Sequence, residues 1–112
     1  MSDSFPVTLA DGLAVVTTPD EIDVGNAALL REALATAAES GAPVLVVDMA
    51  MTEYCDSTGL NVLVRGMRVA AGDGRKMRLV AGGAGLQRVF AVTGVGSLFQ
   101  VYDSLDEALT AT

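Results

Sequence analysis

Histidine is absent from this chain of 112 residues, and that absence excludes several kinds of chemistry. Serine and cysteine nucleophiles of the common hydrolases depend on a histidine base, and many zinc sites depend on imidazole ligands. A carboxylate pair could still act as acid and base. However, the acidic residues of the central segment, Asp48, Glu53 and Asp56, are each explained by a strand end or a helix cap. We therefore expect no enzymatic activity, no metal site and no cofactor.

Cysteine occurs only once, as Cys55. A single thiol allows neither an internal disulfide nor a cluster of metal-bound thiolates. It stands at the end of an apolar stretch, directly before Asp56. Burial as an unreactive side chain is the favoured interpretation, because free cysteine is among the most buried residue types. A redox-responsive thiol is the alternative.

Basic residues are few: 7 stand against 14 acidic residues, for a net charge of −7. This balance disfavours nucleic-acid binding, in which a basic surface supplies much of the affinity. Most of the basic residues lie between Arg65 and Arg88, and three of them surround the turn Gly72-Asp73-Gly74. A solvated edge explains this cluster better than a phosphate-binding patch does.

Long apolar runs are also missing, although 51% of the residues are hydrophobic. No run approaches the roughly 18 residues that suggest a membrane span. The start, Met1-Ser2-Asp3-Ser4, is acidic and polar rather than basic and then apolar, so we expect no signal peptide and a cytoplasmic location. The length predicts one domain over residues 1–112, with an apolar content ample for one core.

Short apolar runs alternate with amphipathic segments in the order ββαβαβαβα. Two strands around Asp11-Gly12 predict a hairpin, because Asp-Gly is a strong turn signal. The later strands are separated by helices, a pattern typical of parallel crossovers in an α/β sheet. The predicted strands cover residues 5–9, 13–17, 44–49, 76–81 and 98–102. The predicted helices cover residues 24–39 and 58–71, a segment with Leu86, Val89 and Phe90, and a final segment with Leu105, Ala108 and Leu109.

The most informative segment is a buried-type strand over residues 44–49 followed by Asp56-Ser57-Thr58-Gly59-Leu60. A helix follows, because Leu60, Leu63, Val64, Met67 and Ala71 recur at a spacing of three to four residues. Aspartate and hydroxyl side chains are favoured at such a start, where their oxygens cap free N–H groups. The same position also favours an added phosphate. The motif by itself favours a plain helix cap over a phosphorylation site.

Three segments together resemble the STAS domain, and within it the bacterial anti-sigma factor antagonists. Glu21-Ile22-Asp23 is similar to the family's Gly-Glu-[Ile/Leu]-Asp, and Asp56-Ser57-Thr58-Gly59-Leu60 to its Asp-Ser-[Ser/Thr]-Gly-Leu. The tail is similar to the family's Leu/Ile-Phe-x-x-[Ser/Thr]-Gly-Leu ending: it reads Leu86-x-x-Val89-Phe90-x-x-Thr93-Gly94 and then Leu98-Phe99. The resemblance implies a single domain with a mixed sheet, an N-terminal hairpin followed by parallel strands, packed with about four helices.

The resemblance also implies a role and a set of site residues. Such proteins bind an anti-sigma factor that is a serine kinase, and so release a sigma factor. The kinase phosphorylates the serine directly after the motif aspartate, which is Ser57 in this chain. A serine phosphatase reverses the modification. Together with the predicted helix faces, the expected partner surface comprises Asp23, Asp56, Ser57, Thr58, Gly59, Asn61, Val62 and Arg65. Of these, Thr58, Asn61, Val62 and Arg65 would form an exposed flank of the second helix.

Three positions depart from the family pattern: Asp20, Cys55 and Asn61. None of them removes the hydroxyl, but Asp20 and Asn61 would border the partner surface and so bear on partner identity. We expect Asp23 and Asp56 to lie together beside Ser57, because loops gather at the carboxyl ends of parallel strands. Two separate helix caps are the alternative explanation for these acids.

Three alternative functions have weaker support in the sequence. A STAS module that is never phosphorylated could serve as a scaffold or sensor. Nucleotide binding has little support, because Gly82-Gly83-Ala84-Gly85 lacks the spacing of the dinucleotide and P-loop motifs. Ser57 as a catalytic nucleophile has no histidine base, and the only lysine, Lys76, lies on a predicted strand after the second helix.

Overall fold

The computed structural model describes residues 4–111. Residues 1–3, on which the expectation of no signal peptide rests, lie outside this range. The strands are β1 (Val7–Ala10), β2 (Leu13–Thr17), β3 (Glu21–Ile22), β4 (Val44–Asp48), β5 (Tyr54–Cys55), β6 (Lys76–Val80) and β7 (Gln100–Tyr102). The helices are α1 (Ala27–Glu39), α2 (Ser57–Gly72), α3 (Ala84–Thr93) and α4 (Leu105–Thr110), with a 3-10 turn at Val95–Ser97.

The main sheet has five strands in the order β1-β2-β4-β6-β7. Strands β1 and β2 form an antiparallel hairpin, and every other neighbouring pair in this sheet is parallel. Asp11 and Gly12 both have positive φ, at 51° and 82°, which is the backbone of the tight turn that Asp-Gly favours. The structure therefore confirms the mixed sheet with an opening hairpin and parallel strands after it.

The main core lies on the face of the sheet that carries α1, α2 and α3. Leu30, Leu63 and Leu86, one from each of these helices, are fully buried there. The opposite face is covered by α4 and holds a smaller cluster around Val46, Val80 and Ala108. Strand β4 sends alternate residues into both clusters, which explains its continuous Val/Leu composition.

Arg78 is a basic residue that the sequence placed on a solvated edge, and the structure corrects this. Its side chain is only 5% exposed, and its guanidinium Nη1 donates a hydrogen bond of 2.9 Å to the Ala108 carbonyl of α4. A buried charge needs such a partner. Within residues 4–111, the Arg78 Nε has no hydrogen-bond acceptor.

Two features of the chain differ from the sequence prediction. Helix α1 begins at Ala27 rather than at Val24, because the Asp23 carbonyl accepts hydrogen bonds from the Asn26 and Ala27 amides in a turn that precedes the helix. In addition, β3 and β5 form a separate parallel pair that the sequence did not predict. This pair joins the two loops that leave the carboxyl ends of β2 and β4.

No helix within residues 4–111 is both long and apolar enough to cross a membrane.

Candidate functional site

Ser57 is the first residue of α2 and is exposed. Asp56 separates it from β5, at the edge of the molecule where β2 and β4 end. Asp56, not Ser57, is the N-cap residue of α2, because the Asp56 Oδ1 accepts a hydrogen bond of 3.0 Å from the Gly59 amide. Within the described part of the chain, no hydrogen bond occupies the Ser57 hydroxyl. The capping function and the exposed hydroxyl thus belong to two neighbouring residues.

Asp56 also connects the two loops of this edge. Its Oδ2 accepts a hydrogen bond of 3.0 Å from the Val24 amide, and its own amide donates to the Ile22 carbonyl at 3.0 Å. Both carboxylate oxygens therefore carry a backbone donor, one from α2 and one from the loop before α1. Charged acceptors make the stronger kind of hydrogen bond, so this residue fixes the position of the α2 start.

Asp23 lies in the loop that Asp56 holds, one residue before Val24. The Asp23 Oδ1 accepts a hydrogen bond of 2.8 Å from the Gly25 amide, and its amide donates to the Asn26 side chain at 2.9 Å. Asp23 thus closes its own turn and is half-buried. The Val24 contact brings the segments of Asp23 and Asp56 together beside Ser57, while each acid also has a local structural role.

Gly59 is buried, and the reason is a close approach of α2 to the β3–β5 pair. A Cβ at this position would lie 2.6 Å from the Cys55 Sγ and 2.7 Å from the Ile22 Cγ2. Only glycine lets the first turn of α2 reach these two side chains. Gly59 therefore contributes its amide and its small size rather than an exposed surface.

The remaining predicted site residues, Thr58, Asn61, Val62 and Arg65, line a groove between α1 and α2. Asn61 and Arg65 are exposed as predicted. Thr58 and Val62 are only half-exposed, and Val62 packs against the main core. The helix pattern predicted that all four side chains would be fully exposed, and this was wrong for two of them. Helix α1 lies close enough to cover part of this flank, which forms one wall of the groove.

Three exposed apolar side chains near this edge were missed by the sequence analysis. Val24 is 79% exposed, Met51 74% and Tyr54 50%. Val24 lies in the loop before α1, Met51 in the loop after β4, and Tyr54 in β5. The sequence prediction placed Val24 inside the first helix, and no periodic pattern marks the other two. Large apolar side chains on loops beside polar site residues are typical of a protein contact surface.

A buried pair of hydroxyls supports these loops from below. The Thr18 and Thr52 Oγ1 atoms lie 2.6 Å apart, and the Thr52 hydroxyl donates to the Pro19 carbonyl at 2.6 Å. The Asp48 carbonyl also lies 3.3 Å from the Thr18 hydroxyl, but a hydroxyl has one proton, and the shorter contact makes Thr18 the donor to Thr52. These bonds join the end of β2 to the loop after β4, and no sequence pattern had singled out either threonine.

Cys55 lies under the site and is 1% exposed. Burial, with a further contribution from the Asp56 charge, raises the pKa of the Cys55 thiol to about 12. The reactive form of cysteine is the thiolate, so this thiol is poorly suited to redox chemistry at neutral pH. The structure therefore favours the unreactive, buried interpretation.

Alternative chemistries find little support in the geometry. Lys76 begins β6 and is paired in register with Val44, so it lies at the edge of the sheet opposite to Ser57. The glycine-rich segment that leads into α3 packs closely against the backbone of another loop. A Cβ at Gly85 would lie 3.2 Å from the Glu53 carbonyl oxygen, so this segment is poorly suited to nucleotide binding. Within residues 4–111, no three acidic or cysteine side chains are grouped so as to hold a metal ion.

Comparisons with known proteins agree on one family. The STAS domain family model matches residues 4–108. The anti-sigma-F factor antagonist RsfB of Mycobacterium tuberculosis is 34% identical over 110 residues, which are 96% of this chain and 89% of that protein. The anti-sigma-B factor antagonist of Bacillus subtilis is 35% identical over 86 residues, 77% of this chain and 78% of that protein. The crystal structure of an anti-sigma factor antagonist from Mycobacterium paratuberculosis superposes with a TM-score of 0.87 and 31% identity, covering 96% of this chain and 92% of that one.

Proposed function

This chain belongs to the STAS domain family, and from that premise we propose that it is an anti-sigma factor antagonist whose binding is switched by phosphorylation of Ser57. The observation that carries the proposal is the exposed Ser57 hydroxyl at the start of a helix that Asp56 already caps. A kinase can reach this hydroxyl, and its modification removes no hydrogen bond that the described fold uses. The names of the relatives at 34% and 35% identity support the antagonist role.

The phosphate would act on docking rather than on folding. It adds a charge of about −1.5 to −2 at neutral pH. The free amides and the dipole of the α2 start tolerate an anion, so the fold survives. A partner surface shaped for a hydroxyl would instead meet a bulky dianion beside Asp56. Each 1.4 kcal/mol of repulsion or desolvation lowers the affinity about tenfold.

The proposed partner is an anti-sigma factor that is itself a serine kinase, with a serine phosphatase that restores the free hydroxyl. We place all three in the cytoplasm. The contact surface would combine polar residues of the site with the exposed apolar side chains of the neighbouring loops and of β5. Its proposed members are Asp23, Val24, Met51, Tyr54, Ser57, Thr58, Asn61, Val62 and Arg65.

Ser57 rather than Thr58 is the proposed phosphate acceptor. Ser57 is exposed, whereas Thr58 is half-buried at the end of the α1–α2 groove. Incubation with a purified kinase-type anti-sigma factor and ATP, followed by peptide mapping, tests this assignment. We expect phosphate on Ser57, retained in Thr58→Ala and lost in Ser57→Ala. Phosphate mainly on Thr58 would contradict it.

The switch itself is tested by titrating the same anti-sigma factor with Ser57→Ala and Ser57→Glu. We expect Ser57→Ala to bind and Ser57→Glu to bind at least tenfold more weakly. Ser97→Glu is the matched control, because Ser97 is another exposed serine and lies outside the site. Equal affinities of the two Ser57 variants would exclude the charge switch and leave an unphosphorylated scaffold module as the function.

A further inference from the structure

Helices α1 and α2 lie side by side on the same face of the sheet and enclose a groove of about 580 Å³. Its floor is apolar and is formed by Leu34, Leu45 and Met77, all of which are buried. On the α1 wall, Ala35 and Ala38 are too small to fill the space. Sites for small ligands in proteins usually measure roughly 300–1,000 Å³ and are lined mainly by apolar groups.

The charge around this groove is opposite in sign to that of the whole chain. Arg31, Arg65 and Arg75 line it, three of the seven basic residues in a chain of net charge −7. Asp73 is the one acidic residue among the lining residues. Within residues 4–111, Arg31 and Arg65 have no ion-pair or hydrogen-bond partner, so their guanidinium groups are available to a ligand.

One end of the groove is bounded. Arg75 lies beyond the end of α2, and its Nη1 donates a hydrogen bond to the Ala38 carbonyl near the end of α1. This contact crosses from one side of the groove to the other. A helix of a partner protein lying along the groove would meet it, whereas a small molecule would not need to pass it.

We propose that the α1–α2 groove binds a small amphipathic anion, an alkyl chain that ends in a carboxylate or a phosphate. The chain lies against Leu34, Leu45 and Met77, and the anionic head pairs with the guanidinium groups of Arg31 and Arg65. Guanidinium groups bind either head by paired, charge-assisted hydrogen bonds. The acidic remainder of the chain repels anions, so the affinity depends on these local charges.

Binding to the isolated chain tests this site without any anti-sigma factor, so its outcome is independent of the proposed switch. The probes are decanoate, decyl phosphate, decanol and decyltrimethylammonium, each below its critical micelle concentration. Calorimetry gives the affinity, and amide chemical shifts give the location. We expect at least one of the two anions to bind, with shifts confined to α1, α2 and the starts of β4 and β6, and decanol to bind at least tenfold more weakly. The ratio of decanoate to decyl phosphate affinity identifies the preferred head.

Paired variants separate this site from general hydrophobic or charge effects. Arg31→Glu with Arg65→Glu should weaken anion binding at least tenfold, whereas Arg68→Glu with Arg88→Glu, at the same net charge but outside the groove, should not. Ala35→Phe should fill the groove and abolish binding, whereas Ala28→Phe, on the same helix but outside the groove, should not. Equal binding of decanol and the anions, or unchanged affinity in the Arg31/Arg65 variant, would overturn the proposal. Because Arg31 and Arg65 are exposed, that variant remains informative if Ala35→Phe fails to fold.

Discussion

The Val24 amide donates a hydrogen bond of 3.0 Å to the Asp56 Oδ2 across 32 positions of sequence. The other oxygen of the same carboxylate accepts the Gly59 amide. One side chain therefore joins the loop before α1 to the first turn of α2. The loops around Ser57 are therefore held in place by bonds within the chain, and under the proposed function this order would lower the entropic cost of binding.

Replacement of Asp56 by Asn should destabilise the fold. An amide offers one acceptor oxygen, so one of the two backbone donors loses its partner, and the amide nitrogen faces that donor. Hydrogen bonds to charged groups contribute about 1.5–3 kcal/mol, and we expect a loss in that range in urea unfolding. Asp23→Asn is the control, since only the Asp23 Oδ1 is used and asparagine retains it. Equal losses in both variants would contradict this account.

Ser57→Ala should leave stability nearly unchanged. Since Asp56 performs the capping, the alanine variant should unfold within about 0.5 kcal/mol of the parent chain, as exposed substitutions usually do. Loss of a true N-cap costs about 0.5–2 kcal/mol, and Asp56→Ala should show at least that much. If Ser57→Ala were the more damaging of the two in thermal or urea unfolding, the assignment of the cap would be wrong.

Gly59→Ala should be costly, because its new methyl group would overlap both Cys55 and Ile22. Ile22 is fully buried and branched at Cβ, so it has little freedom to move. Overpacking of this kind costs about 1–3 kcal/mol. Gly72→Ala, at the last residue of the same helix, has open space around its Cβ and should be neutral or slightly stabilising. The two unfolding curves, measured together, check the difference.

Cys55 should make stability fall at high pH. The folded thiol keeps its proton up to a pKa of about 12, whereas an unperturbed thiol loses it near 9.0. Between these values the unfolded chain binds fewer protons than the folded one, so the free energy of unfolding decreases as pH rises. The difference in stability between the parent and Cys55→Ala should therefore shift against the parent above pH 9. Parallel pH curves would contradict the buried thiol, as would rapid reaction with a thiol reagent before unfolding.

Much of the architecture could be predicted from the sequence because its signals are local. Asp11-Gly12 specifies a hairpin turn, and the continuous apolar run of β4 specifies a strand buried on both faces. The β3–β5 pair could not be predicted, since two-residue strands show no periodicity. The predicted start of α1 at Val24 was wrong, because a hydrogen bond to Asp56, a residue distant in sequence, holds Val24 outside the helix.

The site was predictable in part for the same reason. Asp56 and Ser57 stand in one short motif at the start of α2. Their capping and hydroxyl positions depend on residues next to them in sequence, so the motif was enough to predict them. The groove, the Thr18–Thr52 pair and the burial of Arg78 depend on contacts between segments far apart in sequence. A basic side chain is usually predicted to be exposed to solvent. The burial of Arg78 depends on its hydrogen bond to the Ala108 carbonyl, which lies 30 residues away in sequence.

Helix α4 covers its face of the sheet with only six residues, and Ala108 is the residue of that helix that is fully buried. A short helix with so small a contact opens locally more easily than the rest of a fold. Each opening would uncover the valine-rich centre of the sheet, whose apolar surface favours association between molecules. We therefore expect association between molecules to begin at the face that α4 covers rather than at the core beneath α1 and α2. A tag or fusion partner attached after residue 112 therefore has to be designed so that it does not strain α4.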